Sequence, residues 1–102
     1  TQNSCSVLTH TVRDGAVVTV EGVGGGNGQV HPVQQAMIEE LAPQCGFCTP
    51  GQVVSGVALL QRNANPTREE VRTALAGNLC RCTGYDKIVR SVMAAAEEMR
   101  GA

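Results

Sequence analysis

Aromatic side chains are what this sequence has least of. Only Phe47 and Tyr85 are aromatic among 102 residues, so the core must consist mainly of Val, Leu, Ala and Met. Such a core gains less per residue than one with large rings, and a bound metal or cofactor would stabilise it further. The length allows one ordinary domain, so a large enzyme would need other chains or further sequence.

An excess of charge of one sign is also absent. Eight Lys and Arg stand against nine Asp and Glu, which gives a net charge of -1. We therefore expect no nucleic-acid partner and no attraction to an anionic membrane. Residues 41–61 carry no charge, but prolines, glutamines and glycines interrupt them. They predict a loop and a soluble helix, and no membrane span.

The first 28 residues predict a short β segment and a flexible joint. Residues 4–21 alternate loosely around Asp14-Gly15 and end in a β-branched run, which favours a hairpin. Five glycines among residues 22–28 are typical of a linker. We therefore divide the chain into residues 1–21, a Gly-rich linker at 22–28 and a helical domain at 29–102.

Four helical patterns follow the linker and predict a mainly α fold, a four-helix bundle. Pro32 suits the first turn of the first helix, and His31 fits the start of that helix better than a metal site. Thr67 and Glu70 form a capping box for the third helix, which Gly77 is expected to end. The predicted apolar stripes are Val33, Met37 and Leu41; Val53, Val57 and Leu60; Val71 and Leu75; and Ile88, Val92, Ala95 and Met99.

The five cysteines are the most informative residues. An odd number argues against a closed disulfide framework and leaves metal ligation open. Cys45 and Cys48 precede the second predicted helix, and Cys80 and Cys82 precede the fourth, with 31 residues between the two motifs. Unpaired N–H groups at helix starts favour a centre made negative by thiolates. By spacing alone, one zinc ion and two sulfide-bridged irons are both open.

The two cysteine segments resemble the signatures of a known family. Residues 44–51, QCGFCTPG, and residues 77–85, GNLCRCTGY, are similar to the two motifs of the iron-sulfur subunit of molybdenum hydroxylases. This is the family of xanthine dehydrogenase, aldehyde oxidoreductase and carbon monoxide dehydrogenase. Residues 28–34, GQVHPVQ, resemble the start of that family's first helix. The resemblance covers nearly the whole chain.

The resemblance implies a 2Fe-2S cluster bound by Cys45, Cys48, Cys80 and Cys82 in the helical domain. It also implies that Gln44 and Cys82 approach the molybdenum pterin of a large subunit. Electrons would pass from molybdenum through this cluster to a second 2Fe-2S cluster and then to FAD on another subunit. The chain would then be the electron-transfer component of an oxidoreductase, with no catalytic residue of its own. The alternative is a structural four-cysteine zinc module for protein interaction.

The sequence departs from the family at its beginning. The family's subunit starts with a ferredoxin-like β domain whose cluster takes four cysteines, and residues 1–21 resemble only the tail of that domain. Cys5 resembles its last ligand, and the other three have no counterpart. We therefore expect a fragment or a cleaved product that partners the missing portion, with Cys5 as a small buried residue. A cytoplasmic location is expected, and a periplasmic one stays open.

Several neighbours of the cysteines have predicted roles. Phe47 is expected to shield the centre from water, and Tyr85 either hydrogen-bonds near it or staples the last helix. Thr49 and Thr83 are expected to cap the second and fourth helices. For Arg81, tuning of the centre, contact with a partner subunit and simple solvation are all open.

Overall fold

The computed structural model describes residues 1–25 and 28–101, and within them it contains four α-helices. These are α1 (Pro32–Glu39), α2 (Thr49–Arg62), α3 (Arg68–Leu75) and α4 (Asp86–Gly101). The predicted mainly α, four-helix architecture is confirmed. None of these helices combines the length and the apolar character that crossing a membrane requires.

All four helices contribute to one hydrophobic core, in which α4 contacts each of the other three. Val33, Val71 and Val92 have no solvent exposure at all. Gly56 on α2 permits a close approach of the helices, because a β-carbon there would lie 3.1 Å from Cγ2 of Val92. The core therefore depends on small aliphatic side chains, as the scarcity of aromatic residues predicts.

The start of α1 follows the predicted pattern. The Nδ1 atom of His31 accepts a hydrogen bond from the backbone N–H of Val33 at 3.1 Å, and the N–H of His31 donates to Oε1 of Gln34 at 2.9 Å. Burial lowers the pKa of His31, which keeps its ring neutral and able to accept this bond. His31 is thus a helix cap.

The end of α1 differs from the prediction at Leu41, which is 72% exposed and not part of the apolar stripe. The helix ends at Glu39, and Leu41 adopts a left-handed conformation with φ +54°. The N–H of Leu41 donates to the carbonyl of Ile38, and the N–H of Ala42 donates to that of Met37. This pair of bonds is a Schellman termination, and it turns Ala42 inward in place of Leu41.

The other helices follow the predicted stripes, except at the ends. The capping box of α3 is present, because Oγ1 of Thr67 accepts from the N–H of Glu70 and a Glu70 carboxylate oxygen accepts from the N–H of Thr67. Thr49 is not the cap of α2, since Cys48 takes that position without a side-chain bond. Met99 is 42% exposed, because the last turn of α4 extends past the core.

The predicted β hairpin is not present. Residues 1–25 contain no strand and instead form three short 3-10 turns, Ser4–Ser6, Thr9–Val12 and Val20–Gly22. Two strands without further partners are marginal in water, and no other strand of the described chain is available to pair with them. Val20 and Val23 pack against the helical core. Gly26 and Asn27 of the predicted linker at 22–28 lie outside the described residues.

Replacing Met37 by Ala should lower the free energy of unfolding by about 2–5 kcal/mol, because it opens a cavity beneath a side chain that is 2% exposed. The matched control is Ile38→Ala, which truncates the neighbouring side chain, 60% exposed. Denaturant unfolding of the apo protein measures both. Equal losses for the two variants would contradict the packing described for α1.

Candidate metal centre

Two loops between helices carry the four predicted ligands. Cys45 and Cys48 lie between α1 and α2, with Cys48 immediately before the first residue of α2. Cys80 and Cys82 lie between α3 and α4. Cys48 and Cys80 are half-buried against the core, whereas Cys45 and Cys82 are exposed. Each loop therefore offers one thiol on the protein side and one on the solvent side.

Each thiol of one loop changes the pKa of a thiol in the other loop, Cys45 with Cys82 and Cys48 with Cys80. The pKa of Cys45 is lowered by the backbone N–H of Phe47 and then by the thiol of Cys82, and the pKa of Cys82 is raised in return by Cys45. No three Cys, His, Asp or Glu side chains within residues 1–25 and 28–101 gather closely enough to hold a single metal ion.

The second pair is the more buried one. Burial raises the pKa of Cys48, and the hydrogen bond of its thiol with Cys80 raises it further. The pKa of Cys80 is lowered to about 7, first by the hydroxyl of Thr83 and then by backbone N–H groups. Cys80 is thus partly ionised at neutral pH, and a thiolate is the form that binds metals.

Thr83 is placed to stabilise the Cys80 thiolate. Its Oγ1 lies 3.1 Å from Sγ of Cys80 and accepts a hydrogen bond from the backbone N–H of Tyr85 at 3.1 Å. Because that bond occupies an acceptor site, the one hydroxyl proton is available to the sulfur. The sequence predicts that Thr83 caps α4, but this helix starts three residues later, at Asp86. The Thr83 hydroxyl therefore stabilises the loop and the Cys80 thiolate more than the helix.

Tyr85 is both a hydrogen-bond partner near the thiols and a brace for the last helix. Its hydroxyl accepts a bond from the backbone N–H of Cys80 at 2.8 Å, and its carbonyl accepts from the N–H of Val89 in α4. Tyr85 has φ +74°, a left-handed conformation that costs energy for a residue with a side chain. Its two roles therefore act together to join the Cys80 loop to α4.

Glycine is required in both loops for conformational reasons. Gly46 has φ +85° and Gly84 has φ +71°, and no atom lies within 4 Å of where a β-carbon would sit at either one. The restriction is thus backbone conformation and not space. Gly46 lets the chain turn between Cys45 and Cys48, and Gly84 lets it turn between Cys82 and the start of α4.

The side chains of the cysteine loops are more exposed than expected, and Phe47 above all. Phe47 is 93% exposed, so its predicted role as a shield against water within this chain is wrong. Leu79 is 81% exposed in the opposite loop, and Gln44 and Arg81 are exposed as well. Phe47 lies between Gly46 and Cys48, whose small side chains offer no surface on which the ring can pack. Phe47 and Leu79 therefore leave exposed apolar surface beside the thiols.

One other prediction concerns a residue outside the loops, Cys5. Cys5 is exposed, with its Sγ 3.8 Å from Oγ of Ser6, so the prediction that it is buried is wrong. The turn that contains it has no buried residue, so the small thiol has no core to enter. Asp86, in the first turn of α4, forms ion pairs with Arg68 and Arg90.

Sequence reasoning missed three polar residues behind the thiols, Gln52, Ser55 and Asn78. Gln52 is completely buried, and Asn78 donates to Oγ of Ser55 at 2.8 Å. The available signal was spacing, because Gln52 follows Cys48 by four residues and so lies on the same helix face. A glutamine in an otherwise apolar stripe could have been singled out on that basis.

Comparison with known proteins identifies the family. The model of the family described as "[2Fe-2S] binding domain" matches residues 19–93. The chain therefore belongs to the [2Fe-2S] binding domain family. Aldehyde oxidase 2 of Cavia porcellus is 50% identical over 88 residues, which cover 86% of this chain and 7% of that protein. The chain thus spans only a small part of the relatives it matches.

Solved structures agree with this assignment. The aldehyde oxidoreductase from Desulfovibrio gigas superposes with a TM-score of 0.87 at 45% identity, over 95% of this chain and 11% of that one. Quinoline 2-oxidoreductase from Pseudomonas putida 86 superposes with a TM-score of 0.77 at 37% identity, over 99% of this chain and 63% of that one. The resemblance recognised in the cysteine motifs is confirmed.

Replacing Thr83 by Val should raise the pKa of Cys80 from about 7 toward its ordinary value of 9.0, because the hydroxyl that stabilises the thiolate is lost. Alkylation of Cys80 in the reduced apo protein should slow severalfold near pH 7.5 and recover above pH 9. Mass spectrometry at Cys80 across pH measures the midpoint. Thr73→Val on the exposed side of α3 is the control, and identical midpoints for all three proteins would refute the role of Thr83.

Proposed function

We propose that Cys45, Cys48, Cys80 and Cys82 bind one 2Fe-2S cluster, with Cys45 and Cys82 on one iron and Cys48 and Cys80 on the other. The arrangement of thiols across the two loops carries this proposal, because Cys48 and Cys80 are both half-buried against the core while Cys45 and Cys82 are both exposed, and each iron of such a cluster takes two thiolates. The donor set fits the group: four free thiols are present, and hydrogen bonds favour the thiolate at Cys80 and Cys45.

We infer that the chain serves as the electron-transfer part of a molybdenum hydroxylase. Iron-sulfur clusters supply one-electron transfer, which suits a relay between a molybdenum pterin on a large subunit and a second 2Fe-2S cluster and FAD elsewhere. The aldehyde oxidase and oxidoreductase relatives support this role. This chain would hold the cluster, and it would not turn over substrate alone.

Gln44 and Cys82 are the residues proposed to face the pterin. Both are exposed, and Cys82 is the ligand on the solvent side of the second loop. A ligand at the surface gives the shortest route for an electron to a neighbouring subunit. The half-buried Cys48 and Cys80 would then lie on the side toward the core.

The apolar surface beside the loops is proposed to be where the large subunit docks. Phe47 and Leu79 come from opposite cysteine loops, and Leu41 adds a third exposed apolar side chain next to the first loop. Exposed apolar groups of this size are typical of a covered interface. Closure of that interface would exclude water from the cluster, which Phe47 does not do within this chain.

Residues 1–21 are proposed to be the tail of a ferredoxin-like domain. Val17 is 72% exposed and Val18 is 63% exposed, so this segment keeps apolar side chains that the helical core does not use. Contacts with the remainder of such a domain would cover them. Residues 29–102 would form the cluster-binding domain.

The cluster is tested by composition and magnetism. The purified protein should be brown, contain about two irons and two acid-labile sulfides per chain, and give an electron paramagnetic resonance signal only after one-electron reduction. Cys82→Ser should lose cluster, whereas Cys5→Ser, the control, should retain it. A colourless protein with one zinc per chain would overturn the proposal in favour of a structural zinc module.

The docking surface is tested with Phe47→Ser and Leu79→Ser combined in one protein. Its affinity for the molybdenum-binding large subunit should fall at least about tenfold, because two exposed apolar contacts are lost, while iron content stays unchanged. Calorimetric titration measures the affinity. Met99→Ser, which removes an exposed apolar side chain at the far end of α4, is the control. Unchanged binding by the double variant would contradict this surface.

A further inference from the structure

Gln52 is a buried polar residue without an evident structural purpose. It is the largest side chain of the described chain that is fully buried, with 0% exposure, and it lies on α2 among Val53, Gly56 and other core residues. Burial of an amide costs free energy unless its polar atoms are paired. An apolar side chain of the same length would avoid that cost, so the amide group itself needs an explanation.

The amide is satisfied on its nitrogen only. Its Nε2 donates to the backbone carbonyl of Asn78 at 3.2 Å, and its Oε1 has no hydrogen-bond partner among the described residues. An orphaned buried acceptor costs about 1–3 kcal/mol. The hydrogen bonds that the NH2 group can donate are therefore the reason to have an amide at this position.

The NH2 group of Gln52 contacts the segment that leads into one cysteine loop, and Gln52 lies one helical turn after the other loop. Gln52 lies one helical turn after Cys48, so both side chains are on the same face at the start of α2, where Cys48 packs against the core in which Gln52 is buried. The contact of the NH2 group is to Asn78, two residues before Cys80. A carboxamide nitrogen has two protons, so one can go to each loop.

The receiving side of this contact is itself held firmly. The side chain of Asn78 donates to Oγ of Ser55 at 2.8 Å, and its N–H donates to the carbonyl of Leu75. Gly51 leaves room for it, because a β-carbon there would lie 2.4 Å from Oδ1 of Asn78. The carbonyl that Gln52 contacts is therefore fixed by α2 and by the end of α3.

We propose that Gln52 is a positioning residue for the cluster, whose NH2 group ties the Cys48 ligand to the main chain before Cys80 and donates a hydrogen bond to the Cys48 sulfur. This inference rests on the proposed function, since it assumes that Cys48 is a ligand. Hydrogen bonds to ligand sulfurs stabilise the reduced, more negative state of an iron-sulfur cluster. Gln52 therefore raises the reduction potential.

The test compares Gln52→Met with the wild-type protein in a redox titration followed by electron paramagnetic resonance. Methionine keeps the length and fills the same space without a donor. At a fixed ambient potential near the midpoint, the ratio of reduced to oxidised cluster should fall by roughly tenfold, which corresponds to about 59 mV for one electron. Gln61→Met on the exposed face of α2 is the control and should match the wild type.

An unchanged potential in a Gln52→Met protein that retains its cluster would overturn the inference and leave the proposed function intact. A wild-type protein without two irons and two sulfides would instead overturn the proposed function. If Gln52→Met loses the cluster, a second measurement uses protein that keeps Gln52 and labels the glutamine amides with 15N. Gln44 is replaced by Met in this protein, because its amide lies next to the ligand Cys45 and would add a signal of its own. Pulsed electron paramagnetic resonance should then detect an amide nitrogen coupled to the reduced cluster. Absence of that coupling would refute the hydrogen bond.

Discussion

Two loops that are 31 residues apart along the chain must be held face to face, and the rest of the molecule depends on that constraint. The helix α2 starts directly after Cys48, and α4 starts at Asp86, shortly after Cys82. Packing of these helices into one core fixes where the loops begin. Small residues such as Gly56 are needed because the helices approach closely.

Gathering four thiols is electrostatically unfavourable once they ionise, so hydrogen-bond donors around them matter as much as the core. The hydroxyl of Thr83 acts on Cys80, and the backbone N–H of Phe47 acts on Cys45. The tyrosine hydroxyl of Tyr85 fixes the backbone at Cys80. These donors stabilise negative sulfur before any metal arrives, which favours ligation by thiolate.

The helices could be predicted because their signals are local. The capping box at Thr67 depends only on neighbours in sequence, and the structure has it where expected. The paired cysteine motifs are equally local, and the four ligands that they indicate stay a prediction. Leu41 could not be placed, because its exposure depends on a left-handed helix ending that a leucine does not signal. The hairpin failed for a similar reason, since strand formation in residues 4–21 depends on partners that the described chain does not offer.

The role of Gln52 was missed for a different physical reason. Its position on the face of Cys48 was visible, but its contact with the carbonyl of Asn78 joins residues 26 apart and exists only once α2 and α3 have packed. The error for Phe47 is the reverse, because a residue expected to be buried beside the thiols is exposed. An aromatic residue in a chain that has so few suggests burial, yet its surroundings within this chain are two exposed loops.

Iron K-edge X-ray absorption of the purified, oxidised protein tests the central claim most directly, because it reports the atoms around each metal. Two cysteine loops that share a binuclear centre predict a first shell of sulfur only and a second iron as the next neighbour. Iron with nitrogen or oxygen neighbours and no second iron would contradict the account. A spectrum with metal-bound sulfur but no metal–metal contribution would contradict it equally.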